Sequence, residues 1–313
     1  MPWLNASMIA QKQLSNRDWA ELLLLALIWG AVFLATAVAL RDLPVFTTVA
    51  GRVLGGAIAL WAYVILRHIP LGLGRAEWVG FFGMGLLNNV IPFSLIAWGQ
   101  TQIESSLTSI FNASTAFFGV LVAAAILKDE KLTARKAIGV AIGLGGVVIA
   151  IGLDSLHQFD IRSLAQLAVV AGTLSYAFAG VWARQRLGHL RPEVAAAGML
   201  TGASLILVPL ALAYDGIPQH LPSTASLVAL GYMILIATSG AYLLYYRILA
   251  RAGAGNLMLV TLLIPPVAIV LGALVLGETL PLRSYIGLGL LSAGMVILDG
   301  RAARYLGGRA ASR

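Results

Sequence analysis

Polar side chains interrupt several long apolar stretches of this chain. The third stretch carries adjacent amides, Asn88 and Asn89, and the fourth carries Thr108, Asn112 and Thr115 at helical spacing. Residues three to four positions apart share one helix face, so the last three predict a polar stripe. In lipid, such groups must find a partner or line water. Amides and hydroxyls at this depth favour reversible binding of a small polar solute.

Aromatic side chains accompany these groups. Trp29, Tyr176 and Tyr242 lie in the first, sixth and eighth apolar stretches. Together with the amides they predict a cavity with aromatic walls, which suits a small zwitterion with a variable side chain. The alternative for the hydroxyl residues is helix–helix packing, where small and hydroxyl side chains are common. Tyr245 and Tyr246 are nearer a helix end, where we expect them at the membrane interface.

Arg52 is the one basic residue well inside an apolar stretch. It lies about six residues in, roughly 9 Å from the outer edge by helix rise. It can bind a carboxylate or act in gating. It can also extend to the interface or pair with Asp42 or Glu104, which is the arrangement we expect.

Ten apolar stretches are long enough, or nearly so, to cross a membrane. About 20 apolar residues span a hydrocarbon layer of roughly 30 Å. The chain is 59% hydrophobic and 11% charged, against roughly 25% charged in soluble domains. The sequence therefore predicts an all-α integral membrane protein with ten transmembrane helices, at residues 19–40, 46–66, 78–98, 105–127, 134–153, 163–183, 194–213, 221–246, 252–277 and 282–299.

Basic residues set the expected orientation. Alternate connections on one face hold 17 of the 21 Lys and Arg residues, and the other face holds Arg41, Arg52, Arg162 and Arg283. Positive charge stays in the cytoplasm during insertion, so both termini are expected there, in a multi-pass protein of the inner membrane. The net charge of +8 is thus explained by the orientation of the chain in the membrane, and no nucleic-acid partner is expected.

The two halves of the chain resemble each other. A shift of 148 residues pairs Glu130 with Glu278 and Arg135 with Arg283. It also pairs Gly139 with Gly287 and Gly146 with Gly294. We expect the glycines at 139, 143, 287 and 294 to permit close helix contact. Five spans per unit is an odd number, so the second unit inserts upside down. Inverted repeats of this kind are typical of secondary transporters, with the substrate near the midplane between repeats.

The predicted organisation has five parts. An N-terminal cytoplasmic segment, 1–18, precedes the first repeat, 19–153. A periplasmic linker, 154–162, leads to the inverted second repeat, 163–300, and a basic cytoplasmic tail, 301–313, follows. Glu130 and Glu278 lie in turns just before a helix start, where a carboxylate can cap free N–H groups.

The residues of this repeat resemble a known family. Leu-Ile-Trp-Gly at 27–30, Pro44 and Arg52, and the run LVLGETLPLRSYIGLGLLSAGMVIL at 274–298 are similar to the EamA repeat of the drug/metabolite transporter superfamily. The likeness covers 19–300 and is closest to bacterial amino-acid exporters of the YddG type. One departure is that Phe117-Phe118 stands where Pro265-Pro266 stands in the second repeat, so a kink in the fourth span is not implied.

What the sequence lacks narrows the function. No Asp, Glu or His lies near the middle of any span, no Walker loop is present, and no cysteine occurs. We therefore expect no enzyme activity and no cofactor. We expect an exporter of amino acids or related metabolites, a monomer or homodimer in the lipid bilayer, with Asn88, Asn89, Asn112, Thr115, Trp29, Tyr176, Tyr242 and Arg52 as substrate-binding residues. The alternatives are an exporter of lipophilic cations or drugs and a non-transporting membrane scaffold.

Overall fold

Helices account for most of the residues that the computed structural model describes, which are 15–152, 160–217, 220–252, 254–257 and 259–300. Nine helices there are long and apolar enough to cross a membrane, and a tenth is slightly shorter. The ten are α1 (Asn16–Ala39), α2 (Val45–Leu66), α3 (Arg75–Gly99), α4 (Ser105–Ile126), α5 (Ala134–Ile151), α6 (Ile161–Arg186), α7 (Pro192–Tyr214), α8 (Thr224–Ala252), α9 (Val260–Leu276) and α10 (Leu282–Asp299).

The ten-helix prediction is confirmed, with shifts at the ends. Helix α1 starts before Trp19 because Ser15 and Asp18 form a reciprocal capping box that binds the first free N–H groups. The largest shift is at the ninth span, since α8 continues to Ala252 and a short turn, Ala254–Leu257, precedes α9. The predicted linker and tail lie wholly or mostly outside the described residues, as does most of 1–18.

Helix packing follows the two repeats. Helices α1 to α5 form the first and α6 to α10 the second. Helix α1 packs against α8 and α9, and its counterpart α6 packs against α3 and α4. The second helices of the repeats, α2 and α7, pack together, and so do the fifth helices, α5 and α10. Each contact between the repeats thus has a counterpart with the roles exchanged, as a two-fold relation between them requires.

Glycines draw α5 and α10 together at the seam between the repeats. A methyl group on Gly139 would lie 2.8 Å from the Gly294 carbonyl oxygen, and one on Gly287 would lie 2.6 Å from that of Gly146. Real Cβ atoms do not approach backbone this closely. The prediction that these glycines permit close helix contact is confirmed at Gly139, Gly287 and Gly294; at Gly143 the nearest neighbour is the Phe117 ring.

Helix α4 is broken at Ala113–Ser114 although it contains no proline. Around the break the backbone changes to shorter-range bonds: the Ser114 N–H donates to the Phe111 carbonyl, three residues back. The Thr115 hydroxyl donates to the Asn112 carbonyl at 2.8 Å, which supplies a bond that the helix no longer makes. A hydroxyl bond thus accompanies an interruption of the helix at a point where the sequence contains no proline.

Glu278 caps the start of α4 and not the start of α10, the helix that follows it in the chain. Its carboxylate accepts hydrogen bonds from the backbone N–H groups of Ser105 at 2.8 Å and Ser106 at 2.9 Å, at the start of α4. Glu130 instead forms an ion pair with Lys136 at 3.1 Å. The capping prediction is therefore correct in kind for Glu278, and wrong for Glu130 as far as its described contacts go.

The orientation of the two Glu turns is open to a direct test. Five spans separate the turn at Glu130 from the turn at Glu278, so we expect them on opposite faces of the membrane. Lys131→Cys and Thr279→Cys place single thiols at exposed positions of these turns in a chain without cysteine. In intact cells a membrane-impermeant maleimide should label Thr279→Cys and spare Lys131→Cys. Equal labelling of both from outside would contradict the inverted arrangement.

Candidate solute-binding site

Arg52 lies about two turns into α2 and points toward the second repeat. Its Nε donates to the Thr238 hydroxyl of α8 at 3.0 Å. Its guanidinium carbon lies 4.1 Å from the centre of the Phe93 ring of α3, a cation–π distance. It is also within electrostatic range of the phenols of Tyr176 and Tyr242. The guanidinium therefore lies where α2, α3, α6 and α8 approach one another.

Two π-helical segments carry the polar groups beside Arg52. Leu86–Val90 in α3 contains Asn88 and Asn89, and Met233–Gly240 in α8 contains Thr238. The repeat shift of 147 residues carries the start of the first segment onto the start of the second. Each segment has one extra residue per turn, which leaves carbonyl groups without their usual backbone partner. Hydroxyls supply partners: Ser175 donates to the Leu87 carbonyl at 2.7 Å and Ser239 to that of Ile234 at 2.9 Å.

Asn88 connects the repeats through its amide nitrogen. This nitrogen lies 3.3 Å from the Tyr242 hydroxyl and 3.4 Å from the Met199 sulfur. Met199 is the counterpart of Arg52 in the second repeat, at the same shift of 147. The two matching positions both face the other repeat's third helix, but only one of them carries a charge.

Asn89 is fully buried, and neither its amide oxygen nor its amide nitrogen has a hydrogen-bond partner within the described chain. The amide lies close to the Tyr242 hydroxyl. An unsatisfied buried amide costs about 1–3 kcal/mol. Such a cost is common at functional sites, where a ligand or water supplies the missing partner.

Aromatic residues surround the polar groups of the candidate site. The Phe93 and Tyr176 rings meet edge to face at 6.5 Å between centres. Trp29 donates its indole N–H to the Ala237 carbonyl at 3.2 Å, next to Thr238, and its ring lies 5.7 Å from that of Tyr245.

Asn112 and Thr115 lie at the break in α4. Both are half-buried, and the only described hydrogen bond between them is that of the Thr115 hydroxyl to the Asn112 carbonyl. No described hydrogen bond joins either to Arg52 or Asn88. Thr108, by contrast, is fully buried and donates to the Glu104 carbonyl at 3.0 Å, which is a packing role.

Two sequence expectations are corrected here. Arg52 does not pair with Asp42 or Glu104, because each of these has other partners. Glu104 binds Arg162 at 2.6 Å. Asp42 accepts hydrogen bonds from Ser223 and Ser226 at the start of α8, and these bonds lower the pKa of its carboxyl below the usual range. Tyr245 was expected at the membrane interface, but its ring packs between Trp29 and Tyr246 inside the bundle.

Some residues of the site carry no sequence signal. Phe93 is an ordinary apolar residue in a transmembrane stretch, and Met199 is an apolar match to Arg52. Thr238 is one of several hydroxyl residues in the eighth span, and such residues are also common where helices only pack together. Within the described parts of the chain no three His, Cys, Asp or Glu residues gather in a way that could hold a metal ion.

Comparison with known proteins agrees with this architecture. The "EamA-like transporter family" matches residues 19–152 and 163–298, one match per repeat. A "probable amino-acid metabolite efflux pump" of Escherichia coli is 24% identical over 293 residues, covering 91% of this chain and 95% of its own length.

Two further proteins are similar over most of their length. A "probable terminal-alkyne amino-acid exporter" of Streptantibioticus cattleyicolor is 27% identical over 296 residues, covering 92% of this chain and 95% of its own length. One solved crystal structure superposes with a TM-score of 0.66 at 18% identity, covering 90% of this chain and 97% of the other, which shows that the fold is shared. Because the family match covers both halves, the chain belongs to the EamA-like transporter family.

Proposed function

We propose that this protein is a secondary transporter that exports amino acids or related small metabolites across the bacterial inner membrane. The solute binds between the two inverted repeats and is exposed to each face in turn. The observation that carries this proposal is the cluster of Arg52, Asn88, Asn89, Tyr176 and Tyr242. Helices of both repeats contribute to it, near the middle of an otherwise apolar bundle.

The cost of that cluster supports a functional role. Polar and charged groups within a membrane are expensive, and they usually mark the path of a solute. The relatives named as amino-acid exporters or efflux pumps agree with a zwitterionic solute. A scaffold has no need of an unsatisfied amide at Asn89 or of a guanidinium at Arg52.

Export of lipophilic cations fits the site less well. A cavity for a cation favours a carboxylate, and the described site contains none; its only formal charge is the positive guanidinium of Arg52. A cationic solute would be repelled from it. The charge of the site thus favours a solute that carries a negative group.

The test is transport by the purified protein in liposomes. Radiolabelled neutral, acidic, basic and aromatic amino acids would be offered one at a time against an internal pool of the same compound. We expect saturable exchange of at least one class, above the rate in protein-free liposomes. Absence of exchange for every amino acid, with the protein correctly inserted, would contradict the proposal.

The energy source of transport is a further prediction. Proton exchange normally requires a group that titrates as the carrier cycles, and no Asp, Glu or His lies near the middle of a span. Arg52 keeps its proton throughout the physiological range. We therefore expect movement largely down the solute's own gradient. Accumulation of labelled solute above equilibrium, in liposomes energised only by a pH gradient, would show this prediction to be wrong.

A further inference from the structure

Arg52 is a membrane-embedded cation with no counter-ion among the residues that the structure describes. A guanidinium has five N–H donors, and one of them, on Nε, is used by Thr238. Neither of its Nη nitrogens donates to a protein group in the described chain. Other arginines form the described ion pairs, and Arg52 takes part in none of them. The residue is half-buried. The edge of the guanidinium that carries the two Nη nitrogens therefore has no partner in the described chain.

The protein fixes the orientation of this edge. Thr238 holds Nε from α8, and the face of Phe93 supports the plane from α3. The two Nη nitrogens form a planar fork that matches the two oxygens of a carboxylate, and such paired hydrogen bonds are among the strong ones. Because the guanidinium is already held in place, little rotamer freedom is lost on binding.

A second polar group, the amide of Asn89, can bind the ammonium group of a zwitterion. The buried amide of Asn89 has no hydrogen-bond partner in the described parts of the chain, and it lies close to the Tyr242 hydroxyl. Tyr242 lies about one turn beyond Thr238, the α8 residue that binds Arg52 Nε. An amide oxygen and a phenol oxygen can accept hydrogen bonds from an ammonium group, which the guanidinium would repel from its own position.

We propose that Arg52 is the carboxylate anchor of the carrier, and that it selects solutes with a free carboxylate over the corresponding amides and amines. This proposal rests on the proposed function, and it adds the requirement that the substrate carries a free carboxylate. The ammonium group of the solute faces Asn89 and Tyr242, while the side chain lies along the aromatic wall of Phe93 and Tyr176. Arg52 is thus a specificity-determining residue.

The test compares each amino acid with its carboxamide, which keeps the ammonium group and the side chain but lacks the negative charge. Loss of hydrogen bonds to a charged group lowers affinity by roughly 10- to 150-fold. In wild-type protein we expect the amino acid to compete for labelled-solute exchange that much better than its amide. Arg52→Gln should weaken the amino acid by the same factor and leave the amide unchanged.

Two further variants separate recognition from structure. Arg41→Gln removes the same charge from an exposed position on the same predicted face and should change neither competition curve. Arg52→Lys keeps the charge but not the fork, and should restore part of the preference for the acid. Equal weakening of acid and amide by Arg52→Gln would overturn the proposal, because a structural role predicts that result.

The failure of this proposal is distinguishable from that of the function itself. If the wild-type protein exchanges amino acids and their amides equally well, transport stands and the role of Arg52 as anchor is refuted. If it exchanges neither, the proposed function fails.

Discussion

Replacing Asn89 with leucine is expected to stabilise the protein and to reduce its transport. The amide is fully buried and has no hydrogen-bond partner among the described residues, so its removal relieves a cost of about 1–3 kcal/mol. The same change deletes a group that we propose to bind the solute, which lowers affinity by roughly 10- to 150-fold. Melting temperature in detergent and exchange in liposomes would be measured on the same preparation.

A matched substitution, Asn256→Leu, should change the melting temperature in the opposite direction. Asn256 is also buried, but its amide nitrogen donates to the Ala252 carbonyl at 2.8 Å. Asn256→Leu removes that bond and should lower the melting temperature. A stabilised Asn89→Leu protein with unchanged exchange kinetics would show that Asn89 takes no part in binding. Asn88→Leu should impair exchange as well, but with lower stability, since Asn88 bonds to Tyr242.

A larger structural effect is expected at the α5–α10 seam. In Gly294→Leu the new Cβ would lie 2.6 Å from the Gly139 carbonyl oxygen and 2.7 Å from the Gly143 backbone nitrogen. Both neighbours are backbone atoms, so the helices themselves must separate. Overpacking of this kind costs about 1–3 kcal/mol and more where backbone must move. We expect a steep fall in membrane abundance and melting temperature, which is measured by fluorescence of the detergent-purified protein.

The same two helices provide the controls. Gly145 in α5 and Gly289 in α10 have nothing within 4 Å of an added Cβ. Leucine at either position should be tolerated, and it is also a better helix former than glycine. Equal loss of stability at Gly294 and Gly289 would contradict the close backbone contact between α5 and α10.

The fold could be predicted from the sequence because its main signals are one-dimensional. Apolar length identified the helices, and the matched turns at Glu130 and Glu278 identified the repeat. The glycines of α5 and α10 could be recognised because close helix contact requires a residue without a side chain. Helix ends were less certain, since the Ser15–Asp18 box extends α1 and α8 continues beyond the predicted end of its apolar stretch.

The break in α4 could not be predicted from proline alone. It coincides with shorter-range backbone bonds around Ser114 and with the bond from the Thr115 hydroxyl to the Asn112 carbonyl. The π-helical segments in α3 and α8 were equally hidden, because one extra residue in a turn leaves hydropathy unchanged. They matter for the site, since they set the positions of Asn89 and Thr238.

Some of the site residues could also be predicted from the sequence. Polar residues at mid-depth are costly, which singled out Asn88, Asn89 and Arg52. Their partners depend on which helices meet in space: Phe93, Thr238 and Met199 come from three different spans. Arg52 was expected to extend to the interface or to pair with Asp42 or Glu104, because an isolated charge is unfavourable in a membrane. In the described chain it instead binds Thr238 and contacts Phe93, and this is the basis for assigning its remaining partner to the solute.

Tyr176 offers the most direct test of alternating access at the central site. Its ring contacts Phe93 and is half-buried, and Tyr176→Cys would place the single thiol of the chain beside the proposed solute. An impermeant maleimide would be applied to right-side-out and to inside-out vesicles, with Ser284→Cys, which is fully buried, as the unlabelled control. We expect labelling from both faces, slowed in each case by an amino acid that is exchanged. Labelling from one face alone, or labelling that saturating amino acid does not slow, would contradict a shared site between the repeats.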